Sequence, residues 1–317
     1  MSEKLLSVSS SPHIRGKQTT RSIMTDVFIA LMPASVLAVV FYGVKALVLI
    51  LVGVVSAVAA EAVTQKIKKT DVTVKDMSAA VTGLLLALNM PINAPWWMLI
   101  IGCVFAIVVV KQLFGGIGHN FANPALAARI LLVASWPSHM TGNAYLPVDA
   151  VASATPLALL KEGTGEVLPS LLNMFVGGPN VYGCIGEVSA LALIIGGIYL
   201  RFVKKVITWH IPVTYIGVYA VISLLFGASL NDTLFMVCAG GLMLGAVFMA
   251  TDYVTSPSTA LGQVIYAAGC AIITFIIRVY GGYPEGVSFS ILFMNFVTPL
   301  LDKFIRIKKY GEVKKNA

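Results

Sequence analysis

Thr155 closes the run Asp149-Ala150-Val151-Ala152-Ser153-Ala154-Thr155, in which two hydroxyls stand among small residues and Pro156 follows at once. A proline disfavours helix at the residue before it, so Thr155 reads as extended or turn backbone with a hydroxyl that a modifying enzyme can reach. An ordinary Ser/Thr turn has the same composition, and the residues alone do not separate the two. A second place for chemistry is Gly118-His119-Asn120-Phe121-Ala122-Asn123-Pro124, where Asn123 is placed as the N-cap and Pro124 as the first residue of a short apolar helix. Arg129 lies one to two turns further on, and a half-helix N-terminus with a guanidinium nearby is an anion site. The alternative is that Arg129 pairs with Glu187 or with a carbonyl. Glu187 can accept a proton or help coordinate Na⁺, or it can cap the start of its helix, where the dipole favours a carboxylate. Asp252, among Thr251, Thr255, Ser256 and Ser258, can belong to an ion pocket or to a solvated turn.

The elements that must position these residues are membrane helices. Hydrophobic residues make up 58% of the 317 and charged ones only 11%, with a mean hydropathy of +0.88; soluble domains carry roughly 25% charged residues. Runs long enough to span a bilayer are predicted near 24–44, 46–64, 76–91, 95–113 and, more weakly, 117–136. Five more follow near 184–203, 210–227, 233–250, 260–280 and 286–304. Residues 1–22 are polar and basic and lack a short apolar core with a small-residue cleavage site, so the first span is expected to stay as an anchor.

With the N-terminus placed in the cytoplasm, the inside segments collect Lys4, Arg15, Lys17 and Arg21, then Lys66, Lys68, Lys69 and Lys75, Lys111, Arg201, Lys204 and Lys205, and a basic tail after Lys303. The outside segments keep only Lys45, Lys161 and, at a helix end, Arg278. The positive-inside rule then puts both termini in the cytoplasm and the 137–183 loop, with Thr155, outside. The net charge of +8 is accounted for by these topology clusters, which are not interleaved with aromatics as a nucleic-acid surface would be. Cys103, Cys184, Cys238 and Cys270 are isolated in apolar stretches, with no CxxC pair, and read as small packing residues.

The stretch from Gly102 to Gly116 reappears, one residue shorter, from Gly269 to Gly282, matching Lys111 with Arg278 and both terminal Gly pairs. Gly83-Leu84-Leu85-Leu86-Ala87 echoes Gly241-Leu242-Met243-Leu244-Gly245 in the same way. Five spans per half is an odd number, so the halves are oppositely oriented, an arrangement that puts sites near the midplane where helices are broken. The expected organisation is an all-α polytopic membrane protein of ten transmembrane helices: a cytoplasmic segment 1–22, a first five-helix repeat 23–136, an external loop 137–183, a second repeat 184–304 and a cytoplasmic tail 305–317.

An Asp six residues before the Thr of a Ser-Ala-Thr triplet resembles the acceptor sequence of flavin transferases of the ApbE type, which split FAD and join FMN to the Thr oxygen as a phosphoester. Ser11-Pro12-His13-Ile14-Arg15, Gly118 to Ala125 and Gly183-Cys184-Ile185-Gly186-Glu187 are similar to signatures of the NqrB/RnfD family, and the likeness covers the whole chain. Relatives often have Ser where this chain has Cys184, and an Asn-x-Phe-Asn-Pro order where it reads Asn120 to Pro124. The resemblance implies a membrane subunit of an Rnf-type ferredoxin:NAD oxidoreductase in the bacterial inner membrane. Its implied cofactors are FMN on Thr155, in the context of Asp149, Ser153 and Ala154, and a second, non-covalent flavin, riboflavin, within the helices. Asn120, Asn123 and Arg129 are then candidates for cofactor binding, Asp252 for an ion or flavin pocket, and Glu187 and Asp252 for a Na⁺ or H⁺ pathway. No Walker loop, dinucleotide fingerprint or iron–sulfur Cys pattern is present, so soluble donors and nicotinamide fall to partner subunits. A solute carrier built from inverted repeats, or an inert scaffold for redox partners, is the competing reading.

Overall fold

Backbone amides and carbonyls have no water to bond in a lipid interior, so a chain of this composition must satisfy them within helices. A computed structural model describes residues 18–141, 157, 170–178, 181, 183–281 and 285–305, and among these the regular structure is helical. Asp149, Ser153, Ala154 and Thr155 lie outside the described residues. The main elements are α1 (Thr20–Tyr42), α2 (Val44–Ile67), α3 (Ser78–Leu88), α4 (Trp96–Gln112), α5 (Pro124–Ser135), α6 (Ala190–Val203), α7 (His210–Leu225), α8 (Leu230–Cys238), α9 (Leu242–Met249), α10 (Ala260–Tyr280) and α11 (Val287–Phe304). Helices α1, α2, α10 and α11 are each long and apolar enough to cross a membrane; α8 and α9, bent by 63° at their junction, make a fifth such span together, and α3 to α7 are shorter apolar helices. The chain is therefore a polytopic membrane protein. Its outer faces agree, since Val40, Val44, Val55 and Leu51 on α1 and α2 are exposed apolar side chains suited to lipid.

Local chemistry sets the ends. Thr19 caps α1 through its hydroxyl, which accepts from Ser22 N–H, and Gly43, at φ +69°, turns the chain straight into α2. Ser189 caps α6, and Ser229 with Asp232 forms a capping box on α8. One expectation is corrected: residues 233–250 are not one continuous run. The helix breaks at Ala239-Gly240-Gly241, where both glycines hold positive φ of 67° and 69°, a region that side chains strain to enter.

Helices pack through small residues. Gly83 of α3 lies so close to α2 that an added Cβ would overlap the Gly53 carbonyl oxygen and the Ala57 methyl. Gly83→Ala is therefore expected to cost about 1–3 kcal/mol by forced separation of the helices, read as a lowered thermal midpoint in detergent. Gly217→Ala in α7, where a Cβ meets nothing within 4 Å, is the matching control and should be neutral or slightly stabilising.

Candidate functional site

Among the described residues, three of the polar assemblies that interrupt the apolar interior bear on the candidate site. The first surrounds a partly open cavity whose apolar walls include Val27 of α1, Leu85 of α3 and Phe248 of α9. Lys111, Ser78, Asn120, Asn123 and Asp252 supply polar groups to its lining. Lys111 Nζ lies 2.7 Å from Glu61 Oε1 and donates to Ser78 Oγ at 2.6 Å, while Gln112 Nε2 donates to the same Glu61 oxygen at 2.9 Å. Both charges of this pair are buried, and removing either would strand the other. Asn123 caps α5, its Oδ1 accepting from Ala125 N–H at 3.0 Å and Leu126 N–H at 3.3 Å, and its Nδ2 donates to the Met249 carbonyl at 3.3 Å. Asn120 donates to the Ala122 carbonyl at 3.0 Å. Asp252 sits in the loop after α9, where burial pushes its carboxyl above the ordinary aspartate range; bonds from Thr255, from the Val254 N–H and from Asn120 act the other way.

The second assembly joins five elements around Arg129 of α5, which is 4% exposed. Its Nη1 donates to Asn89 Oδ1 at the end of α3 (2.8 Å) and to Ser288 Oγ at the start of α11 (3.1 Å). Its Nη2 donates to Cys184 Sγ at 3.2 Å and pairs with Glu285. The Arg129 ion pair is with Glu285, a partner not weighed from the sequence, while Glu187 lies near enough to feel the guanidinium's charge. Glu187 lies in a single turn, Ile185–Glu187, ahead of α6, and its Oε2 accepts from the Cys184 N–H at 3.3 Å. Its other oxygen, Oε1, is buried with no hydrogen-bond donor among the described residues. Cys184 is buried as expected but is more than packing, because its thiol donates to the Asn89 carbonyl at 3.2 Å.

The sequence reading missed Asn89, Glu285 and Ser288. The available signals were an amide at the end of an apolar run just before Met90-Pro91, and a carboxylate at the head of the last span. Asn89 also connects the two assemblies, since its Nδ2 lies 3.6 Å from Met249 Sδ, next to the carbonyl that Asn123 holds.

The third assembly is the break between α8 and α9. Arg278 of α10 donates through Nη1 to the Met236 carbonyl (2.7 Å) and Tyr219 Oη (3.1 Å), and through Nη2 to the carbonyls of Ala239 and Gly240 (3.0 Å each). Lys111, its partner in the sequence match, reaches the start of α3 instead, where it donates to Ser78 Oγ just after Met77 takes a left-handed φ of 65° and pairs with Glu61. Leu157 is buried beside the α8–α9 break, with Met174, Val181, Phe235 and Ala239.

Comparison with known proteins agrees in kind. The NQR2, RnfD, RnfE family matches residues 7–311. The chain is 57% identical over 320 residues to a subunit of the Na⁺-translocating ferredoxin:NAD⁺ oxidoreductase complex of Acetobacterium woodii, covering 100% of this chain and 99% of the relative. It is 43% identical over 324 residues to a subunit of the proton-translocating ferredoxin:NAD⁺ oxidoreductase complex of Clostridium ljungdahlii (98% and 97%). To a subunit of the ion-translocating oxidoreductase complex of Aliivibrio salmonicida it is 34% identical over 355 residues (97% and 99%). A match of this extent, over a chain whose interior carries the polar assemblies described, places the protein in the NQR2, RnfD, RnfE family.

Proposed function

We propose that this protein is the flavin-carrying membrane subunit of a redox-driven ion pump that couples electron transfer between ferredoxin and NAD⁺ to the movement of Na⁺ or H⁺. The observation that carries this reading is the 57% identity, over the full length of both chains, to a subunit of a complex whose name states that activity. Its partners are then the other membrane and peripheral subunits of the complex and a flavin transferase acting on Thr155. The topology that goes with it is ten spans in two inverted repeats with cytoplasmic termini. It is supported by helices near each of the ten apolar runs and by the burial of both Lys111 and Arg278, each bonded near the start of a helix in its own half. The charge asymmetry of the loops supports an external 137–183 segment.

FMN is joined to Thr155 in this reading, and a second flavin occupies the cavity. The cavity suits such a group in chemistry, with apolar walls for a planar ring and a few convergent polar groups. A flavin supplies one- and two-electron redox chemistry that no side chain has. Lys111, neutralised by Glu61, fixes a positive group at the cavity wall, and Asn120, Asn123 and Asp252 offer amide and carboxyl contacts to a polar ring edge. Val27, Leu85 and Phe248 exclude water from its faces.

Acid precipitation of the purified protein separates the two flavins. The expected result is one acid-stable and one acid-extractable flavin per chain. Thr82→Trp, which fills the cavity, should remove most of the extractable fraction and spare the acid-stable one. Full retention of extractable flavin in that variant would show that the second flavin lies elsewhere.

A further inference from the structure

We infer that Leu157 is a positioning residue: it seats the acceptor run on the α8–α9 elbow and so fixes where a flavin joined to Thr155 is held. Leu157 belongs to the long connection between α5 and α6, only two residues after Thr155, yet it is just 7% exposed. It lies in an apolar socket with Met174, Val181, Phe235 and Ala239. The floor of the socket is Gly240, where an added Cβ would overlap Leu157 Cδ1 and stand 2.8 Å from Arg278 Nη2. Leu157 therefore occupies the space that a side chain at Gly240 would need. The walls are held from three sides. Arg278 grips the end of α8 by the carbonyls of Met236, Ala239 and Gly240. Tyr42 Oη of α1 donates to the Val181 carbonyl at 3.1 Å, and Met174 lies in the short helix Leu171–Val176, which Ser170 caps.

Burying a leucine side chain holds a segment in place by taking its apolar surface out of water. Two residues of chain reach at most about 7 Å, so a group esterified to the Thr155 oxygen is tethered to this socket. Pro156 between them has one backbone torsion already fixed. The charge of the socket agrees. Arg278 is buried, has no ion pair among the described residues, and its Nε has no acceptor among them. The phosphodiester that joins FMN to a threonine carries one negative charge, which a nearby guanidinium favours. From Gly241, α9 leads on to Phe248 at the cavity wall, about 10 Å away at 1.5 Å per residue. The anchor thereby sets the gap that an electron crosses between the two proposed flavins.

This role rests on the covalent-flavin reading above, and the two fail in different ways. Fluorescence of the acid-stable flavin is quenched with acrylamide in the purified full-length protein, after subtraction of the signal from Thr155→Ala, which keeps only the extractable flavin. Leu157→Ala should keep its acid-stable flavin, because the run from Asp149 to Thr155 is intact. Its quenching constant should rise at least ~2-fold and its anisotropy fall, since a segment that loses its buried contact opens more often. Leu157→Met, which refills the socket, should return both to wild-type values. Phe235→Ala opens the socket from α8 without touching the acceptor run and should reproduce the Leu157→Ala result. Wild-type quenching in both alanine variants would show that Leu157 only packs its loop, and would overturn the assignment. Loss of acid-stable flavin in Leu157→Ala alone would make Leu157 a residue read by the transferase, and would overturn it as well. A wild type without acid-stable flavin would remove the covalent-flavin reading itself, and this role with it.

Discussion

Thr155→Ala is expected to leave the polypeptide without acid-stable flavin, so that its band on a denaturing gel no longer fluoresces under ultraviolet light. A phosphoester needs the side-chain oxygen as its bridging atom, and alanine removes that atom while adding no bulk to a stretch already rich in alanine. Thr155→Ser keeps a hydroxyl and should keep part of the label. The effect is all-or-none because denaturation strips non-covalent flavin from the chain. A band equally bright in Thr155→Ala would move the attachment to another residue. A dark wild-type band, from cells that contain the transferase, would remove covalent flavin from the account and restore the carrier reading.

Arg129→Met should be strongly destabilising, by about 3–5 kcal/mol, because it leaves the Glu285 carboxylate without its ion-pair partner and removes a donor from each of Asn89, Ser288 and Cys184. The thermal midpoint in detergent should fall by roughly 6–20 °C. Methionine approximates the length of the arginine stem, so most of the loss reports the charge rather than a void. The double variant Arg129→Met/Glu285→Gln should recover a substantial part of the midpoint, since it removes the stranded charge together with its partner. A single variant as stable as the wild type would mean that the Arg129–Glu285 pair contributes nothing to holding α5 on α11.

Much of the helical layout was legible from apolar runs alone, because in lipid the length of such a run nearly dictates an element. The cap of α5 was legible too, since Asn123-Pro124 is a local signal acting on the next two amides. The break at Ala239-Gly240-Gly241 was hidden by composition: glycine pairs are common in apolar helices, and only the left-handed backbone there distinguishes a bend from a packing contact. The partners of Arg129 were not legible. Asn89, Glu285 and Ser288 lie 40, 156 and 159 residues away, so nothing in local periodicity announces them. Cys184 looked like a packing residue because a thiol in an apolar stretch gives the same local signal whether or not it is hydrogen-bonded. Thr155 was reached through an acceptor pattern, a feature recognised by another enzyme, which leaves no mark on helix geometry.

The grip of Arg278 on the break has a mechanical side. An interrupted helix is often taken for a hinge, yet opening this one would pull three carbonyls and a phenol off one guanidinium in a medium with no water to replace them. The elbow is therefore stiff. Helices α7, α8 and α10 are clamped to one another at that point, and a push delivered to α8 is passed on to them as a lever passes it. Displacements that accompany turnover should accordingly appear as rocking of this three-helix block, with the 63° angle between α8 and α9 preserved.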